Sequence, residues 1–389
     1  MSKKKSKLQL AQDQAVAAIN KTNEKINELG AHTYTLYSEL SSIQEAFDAI
    51  RNVPSKNKMQ YEELKEIGLN WKHQAEKIME DYNNAFVKNT GAGAAGAAIG
   101  VAVVSMGPNV AMGVATTFGV ASTGTAISAL SGAAATNAAL AWIGGGALAV
   151  GGGGMAAGEA FLALAGPIGW AFAGASLITS TIFMWKGLSD KKRLEDVFTT
   201  ISQRDVTSYK LAIVELNERI TRIIDESGKL HEANKAIRTF GLDYDAMTEA
   251  QQYALGAYVN LMNASTQLLV NPILGLQPKY SEADFEEFIS HEPDKVKAKH
   301  YSDYKILIIS LANLLYKIGL DERDKKLLWK SFRKNNEMLK SMNISKKEFD
   351  MEIMNAVINA LCYKYRTCQN VERRILSGTS DATFEDAAA

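Results

Sequence analysis

Three glycines in this chain have the spacing found in many nucleotide-binding proteins. Gly91, Gly93 and Gly96 fit the pattern G-x-G-x-x-G, in which the glycines let the backbone approach a pyrophosphate. That chemistry needs a buried strand before the glycines and an acidic residue about 20 positions later for the ribose. Here a charged helical sequence precedes Gly91, and the next acid is Glu159. No lysine follows within the glycine-rich stretch to meet a phosphate, so we expect no nucleotide site.

The residues that carry acid–base, nucleophilic or metal chemistry are scattered along the chain. Neighbouring acids such as Glu62 and Glu63 lie on helix faces that we expect to be solvated. Cys362 and Cys368 lack the further ligands that a zinc site requires, which predicts two ordinary thiols. The histidines fall on separate segments, without an H-E-x-x-H pair or a nucleophile elbow: His32, His73, His231, His291 and His300. The sequence therefore predicts no catalytic residue, no metal site and no cofactor, in a protein that is not an enzyme.

One charged side chain stands alone in a long apolar stretch. Glu159 is the single charged residue among the 97 from Asn89 to Trp185, which also hold 20 of the 29 glycines. We call this stretch the apolar window. Glu159 has two interpretations that the sequence leaves open. It is a first-turn acid favoured by the helix dipole, or it is a carboxylate that enters the membrane and acts as a protonation switch.

The apolar window has the length and composition of a membrane-inserting region. A helical crossing needs about 20 apolar residues, so the window can supply two to four crossings. Small residues recur every four positions at Ala92, Gly96 and Gly100, which leaves a smooth face for close helix packing. The segment from Phe161 to Trp185 is the best single crossing. The residues that we expect to take part in insertion are Gly91, Gly96, Gly100, Gly154, Gly158, Glu159, Phe161, Trp170 and Trp185.

Basic residues flank the window on both sides. Because positive charge tends to stay on one side of a bilayer, this pattern favours an even number of crossings. The earlier pieces of the window are mostly Ala, Gly and Val, which insert weakly, so they are poised between burial in protein and insertion in lipid. The flanking basic residues are Lys88, Lys186, Lys191, Lys192 and Arg193.

The remaining composition limits the partners and the compartment. The chain has 43 basic and 43 acidic residues, so no overall charge attracts it to nucleic acid. Lysines at the N-terminus are followed by a mixed, largely polar run that lacks the apolar core of a secretory signal. We expect synthesis in the cytosol without such a signal, and membrane association or insertion on activation. A secretion route of another kind is compatible with this expectation.

Long heptad patterns predict the elements that carry the window. Apolar residues step by seven from Ile19 to Ile50, with Thr33 as the one polar member, and again from Tyr209 to Ile237. A further helix is predicted at about 58–87, and Pro108 marks the first break inside the window. Ser345 and Glu348 fit a capping box that opens a C-terminal helix.

These patterns predict an all-α protein: an elongated helical bundle with a glycine-rich, transmembrane-type apolar hairpin and a small helical C-terminal domain. The predicted regions are 1–88 for the N-terminal amphipathic helices, 89–185 for membrane insertion, 186–240 for a long amphipathic helix, and 241–389 for the C-terminal domain and tail.

The layout of heptad helices around an apolar hairpin resembles α-helical pore-forming toxins of the cytolysin A and haemolysin BL type. The window is also similar to the membrane segments of bacterial glycine-zipper toxins. The resemblance is one of architecture and covers about 19–240. It implies a soluble form that exposes the hairpin, inserts and oligomerises, with copies of itself or a sister toxin component. A regulatory or immunity protein is a further potential partner.

Two alternatives remain open. The chain is either a membrane-permeabilising toxin or effector, or a resident membrane scaffold that binds partners through its helical domains. A third interpretation of the window itself is that it forms the dry core of a permanently soluble bundle.

Overall fold

The computed structural model describes residues 5–89, 108–118, 187–334, 339 and 344–366. Within these residues the chain is helical, apart from turns and one isolated β-bridge between Arg51 and Asp243. The predicted all-α class is therefore confirmed. In chain order the helices are α1 (Lys7–Asp48), α2 (Ser55–Asn89), α3 (Pro108–Phe118), α4 (Leu188–Ile237), α5 (Glu249–Val270), α6 (Glu282–Ser290), α7 (Lys295–Asp303), α8 (Lys305–Leu315), α9 (Glu322–Lys334) and α10 (Met351–Tyr365).

Helices α1 and α4 form the long axis of the bundle. They contain 42 and 50 residues, which corresponds to roughly 63 and 75 Å at 1.5 Å per residue. The heptad residues predicted for both helices are buried, from Ile19 to Ile50 and from Tyr209 to Ile237. Thr33 is also fully buried, and its hydroxyl donates to backbone carbonyl groups of its own helix. The heptad patterns therefore identify a real core face.

The two long helices run in the same direction and end together. Near their C-terminal ends, the Nδ2 atom of Asn234 donates to the carboxylate of Glu39 at 2.9 Å. Beyond these ends, the backbone N–H of Arg51 donates to the carbonyl oxygen of Leu242 at 2.9 Å. The backbone N–H of Tyr244 in turn donates to the carbonyl oxygen of Arg51 at 3.0 Å. This pairing fixes the register of the pair.

Helices α2, α3 and α5 complete the first hydrophobic core, which lies along the C-terminal parts of α1 and α4. Trp71 of α2 is its largest fully buried side chain, and its ring lies 5.4 Å from that of Tyr37. Tyr61, near the start of α2, stacks on Phe47 with ring centroids 5.5 Å apart. The segment 241–276 belongs to this core, because α5 packs against α2 and α4.

A second hydrophobic core follows from Tyr280 onward. It contains the apolar faces of α6 to α10 together with the first turns of α1 and α4, represented by Leu8 and Leu194. Asn313 joins α8 to the segment before α6. The side-chain oxygen of Asn313 accepts from the backbone N–H groups of Lys279 and Tyr280 at 2.8 and 3.0 Å. The two long helices therefore connect the two cores.

The predicted helix start at Ser345 is wrong. The reciprocal bonds of the capping box do form, with the backbone N–H of Ser345 donating to the Glu348 carboxylate at 2.6 Å. They enclose a turn at 346–348, and Phe349 then points into the second core with no exposed surface. Helix α10 begins only at Met351, where Asp350 is the N-cap and accepts from the backbone N–H of Ile353 at 3.0 Å.

Candidate functional site

The part of the apolar window that the structure describes as a helix of its own is α3, and it is buried inside the bundle. It lies against α1, α2 and α5. Pro108 is its first residue, a position where the missing backbone N–H costs nothing. Its buried side chains surround the helix instead of forming one stripe, which is typical of a helix enclosed by protein: Ala111, Met112, Val114, Ala115, Thr116 and Thr117. We call the surface of α1, α2 and α5 that receives it the α3 cradle.

The contact between α3 and α1 depends on two glycines. A Cβ atom added to Gly30 of α1 would overlap the backbone carbonyl group of Asn109. A Cβ atom added to Gly113 of α3 would overlap the backbone carbonyl group of Ile26. The two backbones therefore touch directly, in the close-approach geometry that small residues permit.

Hydrogen bonds hold the other sides of α3. The indole Nε1 of Trp71 donates to the hydroxyl of Thr116 at 3.2 Å, with both groups buried. The backbone carbonyl of Thr117, near the C-terminal end of α3, accepts from the backbone N–H of Ile273 at 2.8 Å and from Nε2 of Gln277 at 3.2 Å. The last carbonyl groups of a helix need such outside partners. The cradle thus provides both apolar and polar complementarity.

Sequence reasoning missed these cradle residues. Gly30 interrupts the heptad run of α1, and an isolated glycine within a helical pattern is itself a sign of close packing. The bond between Trp71 and Thr116 gave no signal, because the two residues lie 45 positions apart and on different helices.

All nine predicted insertion residues, and the flanking Lys186, lie outside the described residues. The nine are Gly91, Gly96, Gly100, Gly154, Gly158, Glu159, Phe161, Trp170 and Trp185. Lys88 is within the last turn of α2. In the part of the chain that the structure describes, no helix combines the length and the apolarity that a membrane span requires.

The described basic flank lies at the start of α4. Lys192 is exposed, and Lys191 is half-buried. Arg193 donates to the carboxylates of Asp321 and Asp324, and its hydrogen bond to Asp324 is the main cause that raises the pKa of this guanidinium. Arg193 therefore joins α4 to α9, whether or not the flank also faces a membrane.

The prediction of two ordinary thiols is wrong for Cys362, which is disulfide-bonded.

A second concave surface lies in the C-terminal core. It is an open groove beside α6 and α10, with Phe288 and Tyr363 on one side and Asp284 and Lys364 on the other. The ammonium of Lys364 donates to the Asp284 carboxylate at 2.6 Å and to the backbone carbonyl of Lys279 at 2.8 Å. The charges of Asp284 and Lys364 are therefore used in joining α6 to α10.

Comparison with known proteins adds no family to these observations. The chain matches no protein-family model, no curated protein and no solved structure.

Proposed function

We propose that this protein permeabilises membranes. The apolar window leaves the helical bundle, inserts as a glycine-rich helical hairpin and assembles with other copies. The observation that carries the proposal is the burial of α3. This helix is a piece of the window, its residues 111–117 are buried, and it packs against α1, α2 and α5. The bundle in this form therefore stores at least one part of the sequence that we expect to insert.

The chemistry of α3 is compatible with a change of surroundings. Its Ala, Gly and Val residues give weak preference for lipid, and burial in protein at about 25 cal/mol per Å² is a similarly acceptable environment. The hydroxyl of Thr117 donates to the carbonyl of Gly113 at 2.7 Å within the same helix, so that polar group stays satisfied if α3 moves. Undocking would break the bond from Trp71 to Thr116 and the two bonds that Ile273 and Gln277 donate to the carbonyl of Thr117.

Undocking has a cost that a trigger must meet. Removal of α3 would expose the apolar surface of the cradle, including the indole of Trp71. A membrane that accepts the whole window would offset this cost, because the segments with Leu, Ile, Phe and Trp contribute most of the insertion free energy. In this proposal α3 is one docked segment of a larger inserting region.

Burial of α3 also supports the alternative that the window is a permanent core of the bundle. The two proposals differ in whether α3 leaves its cradle in the presence of a membrane. The resident-scaffold alternative differs from the pore former in causing no leakage.

Dye release from vesicles tests the proposal. Purified full-length protein is added to phosphatidylcholine vesicles with and without phosphatidylglycerol, at neutral and mildly acidic pH. We expect co-flotation and dye release in at least one of these conditions. Failure to float in all of them would refute the membrane proposal, and flotation without release would favour the scaffold.

Trp71 emission tests whether α3 undocks. The difference spectrum between the native protein and Trp71→Phe isolates this indole, which is buried in the cradle. We expect the difference spectrum to change on addition of the vesicles that leak. Trp329 provides the control, because its indole donates to the backbone carbonyl of Phe349 at 3.2 Å in the second core. Leakage with an unchanged Trp71 spectrum would show that α3 stays docked.

A further inference from the structure

Three metal-ligating side chains converge in the C-terminal core. His300 lies in α7, Asp350 directly precedes α10, and Glu352 is in the first turn of α10. Their ligand atoms all lie within 4.8 Å of one another. The convergence joins two parts of the chain that are 50 positions apart.

The neighbours of these residues are fixed in the second core. Tyr301, next to His300, is 4% exposed, and Phe349, next to Asp350, is fully buried. The ring of His300 also contacts that of Tyr304 edge-on at 5.2 Å. The three side chains are therefore held by packed elements and not by free loops.

The structural roles of these three residues do not use all of their potential ligand atoms. Asp350 is the N-cap of α10 and uses Oδ1 for that bond, so its second carboxylate oxygen remains. Glu352 is exposed and His300 is half-buried. Among the described residues, none of the three forms an ion pair within 4.0 Å. Two carboxylates and an imidazole thus lie close together with no described cation between them.

We propose that His300, Asp350 and Glu352 bind a divalent transition-metal ion of the zinc class. One imidazole nitrogen and two carboxylate oxygens are ligands that zinc accepts, whereas magnesium and calcium prefer oxygen ligands alone. Metal–ligand distances of about 2.0–2.2 Å place the ligand atoms of one zinc ion roughly 3.3–3.6 Å apart. Side-chain movements of about 1 Å close the present cluster to that geometry, and water completes the coordination.

The metal ion would connect the end of α7 to the start of α10. A ligand that binds only the folded protein stabilises that protein in proportion to the logarithm of the ratio of the ligand concentration to Kd. At a hundredfold excess of metal over Kd we expect a rise in melting temperature of roughly 3–6 °C. This site is independent of the proposed membrane activity.

Metal titration of the full-length protein tests the site. After treatment with a chelator, the native protein is titrated with Zn²⁺ by calorimetry and with Co²⁺ by visible absorption. We expect one site per chain whose affinity falls at least tenfold in His300→Ala. The same fall is expected in Asp350→Asn and Glu352→Gln. Asparagine also caps helices well, so Asp350→Asn removes the charge while keeping the cap.

His291→Ala is the matched control, because this exposed histidine lies beside the same core and its Nδ1 contacts the backbone carbonyl of Glu287 at 2.8 Å. The affinity of the His291→Ala variant for Zn²⁺ should equal that of the native protein. Melting curves in chelator show whether each variant folds, and the two carboxylate variants carry the test if His300→Ala does not. Absence of binding, or equal binding by the native protein and all three cluster variants, would overturn the proposal.

Discussion

Replacement of Gly113 by alanine tests the docking of α3 directly. The new Cβ atom would lie 3.0 Å from the backbone carbonyl carbon of Ile26 and closer still to its oxygen. These are backbone atoms, which cannot rotate away, so α3 and α1 must separate by roughly 1 Å. A gap of that size loses a quarter to a half of each dispersion contact across it.

The expected magnitude follows from two opposing effects. Overpacking of this kind costs about 1–3 kcal/mol, and the fixed backbone contact indicates the upper end of that range. Alanine in a helix interior recovers about 0.5–1 kcal/mol relative to glycine. We therefore expect Gly113→Ala to lower the free energy of unfolding by about 2 kcal/mol. The melting temperature should fall by roughly 2–4 °C.

Urea and thermal unfolding, followed by circular dichroism, measure this change. Gly228→Ala is the control, because Gly228 is an exposed residue of α4 with no atom within 4 Å of the added Cβ. The control should be stabilised by about 0.5–1 kcal/mol, opposite in sign to Gly113→Ala. Gly30→Ala should resemble Gly113→Ala, and the double variant should cost less than the sum, since one separation relieves both overlaps. A stabilised Gly113→Ala would refute the backbone contact between α3 and α1.

Four further predictions concern single side chains. Thr116→Val should cost about 1–2 kcal/mol in urea unfolding, because the buried indole N–H of Trp71 loses its acceptor. Asn313→Leu should lower the free energy of unfolding by roughly 3 kcal/mol or more, since it leaves two backbone N–H groups and one carbonyl group unpaired in the second core. A variant as stable as the native protein would contradict this hydrogen-bond network. Burial raises the pKa of Asp284 but hydrogen bonds from its lysine and serine partners lower it more, so its net pKa lies below the ordinary 3.8. The ionised carboxylate of Asp284 therefore stabilises the fold above about pH 3.8, and this stabilisation is lost as pH falls through the folded pKa. Asp284→Asn should lower the urea midpoint at about pH 7 and leave it nearly unchanged at about pH 2. If Glu159 is a protonation switch, Glu159→Gln should release dye at neutral pH as the native protein does in mild acid, whereas an unchanged pH profile would leave it a helix-start residue.

The sequence alone determined the helical class and the long core faces. Heptad spacing depends only on the local period of a helix, so the buried stripes of α1 and α4 were predictable residue by residue. The break at Pro108 was also predictable, because proline restricts its own backbone, and α3 begins at this residue. The sequence also identified the apolar window, whose function stays a prediction.

Only the tertiary structure decided which residues meet. The Gly30 and Gly113 contact, the Trp71 to Thr116 bond and the cluster around His300 join segments that are far apart in the chain. No local period encodes such encounters, since they depend on how whole helices pack. Even the capping box at Ser345 formed its bonds without starting α10, because burial of Phe349 in the second core required a turn before the helix. The local sequence specified each helix. The free-energy cost of exposing apolar surface to water, and of burying polar groups without hydrogen bonds, selected how the helices pack.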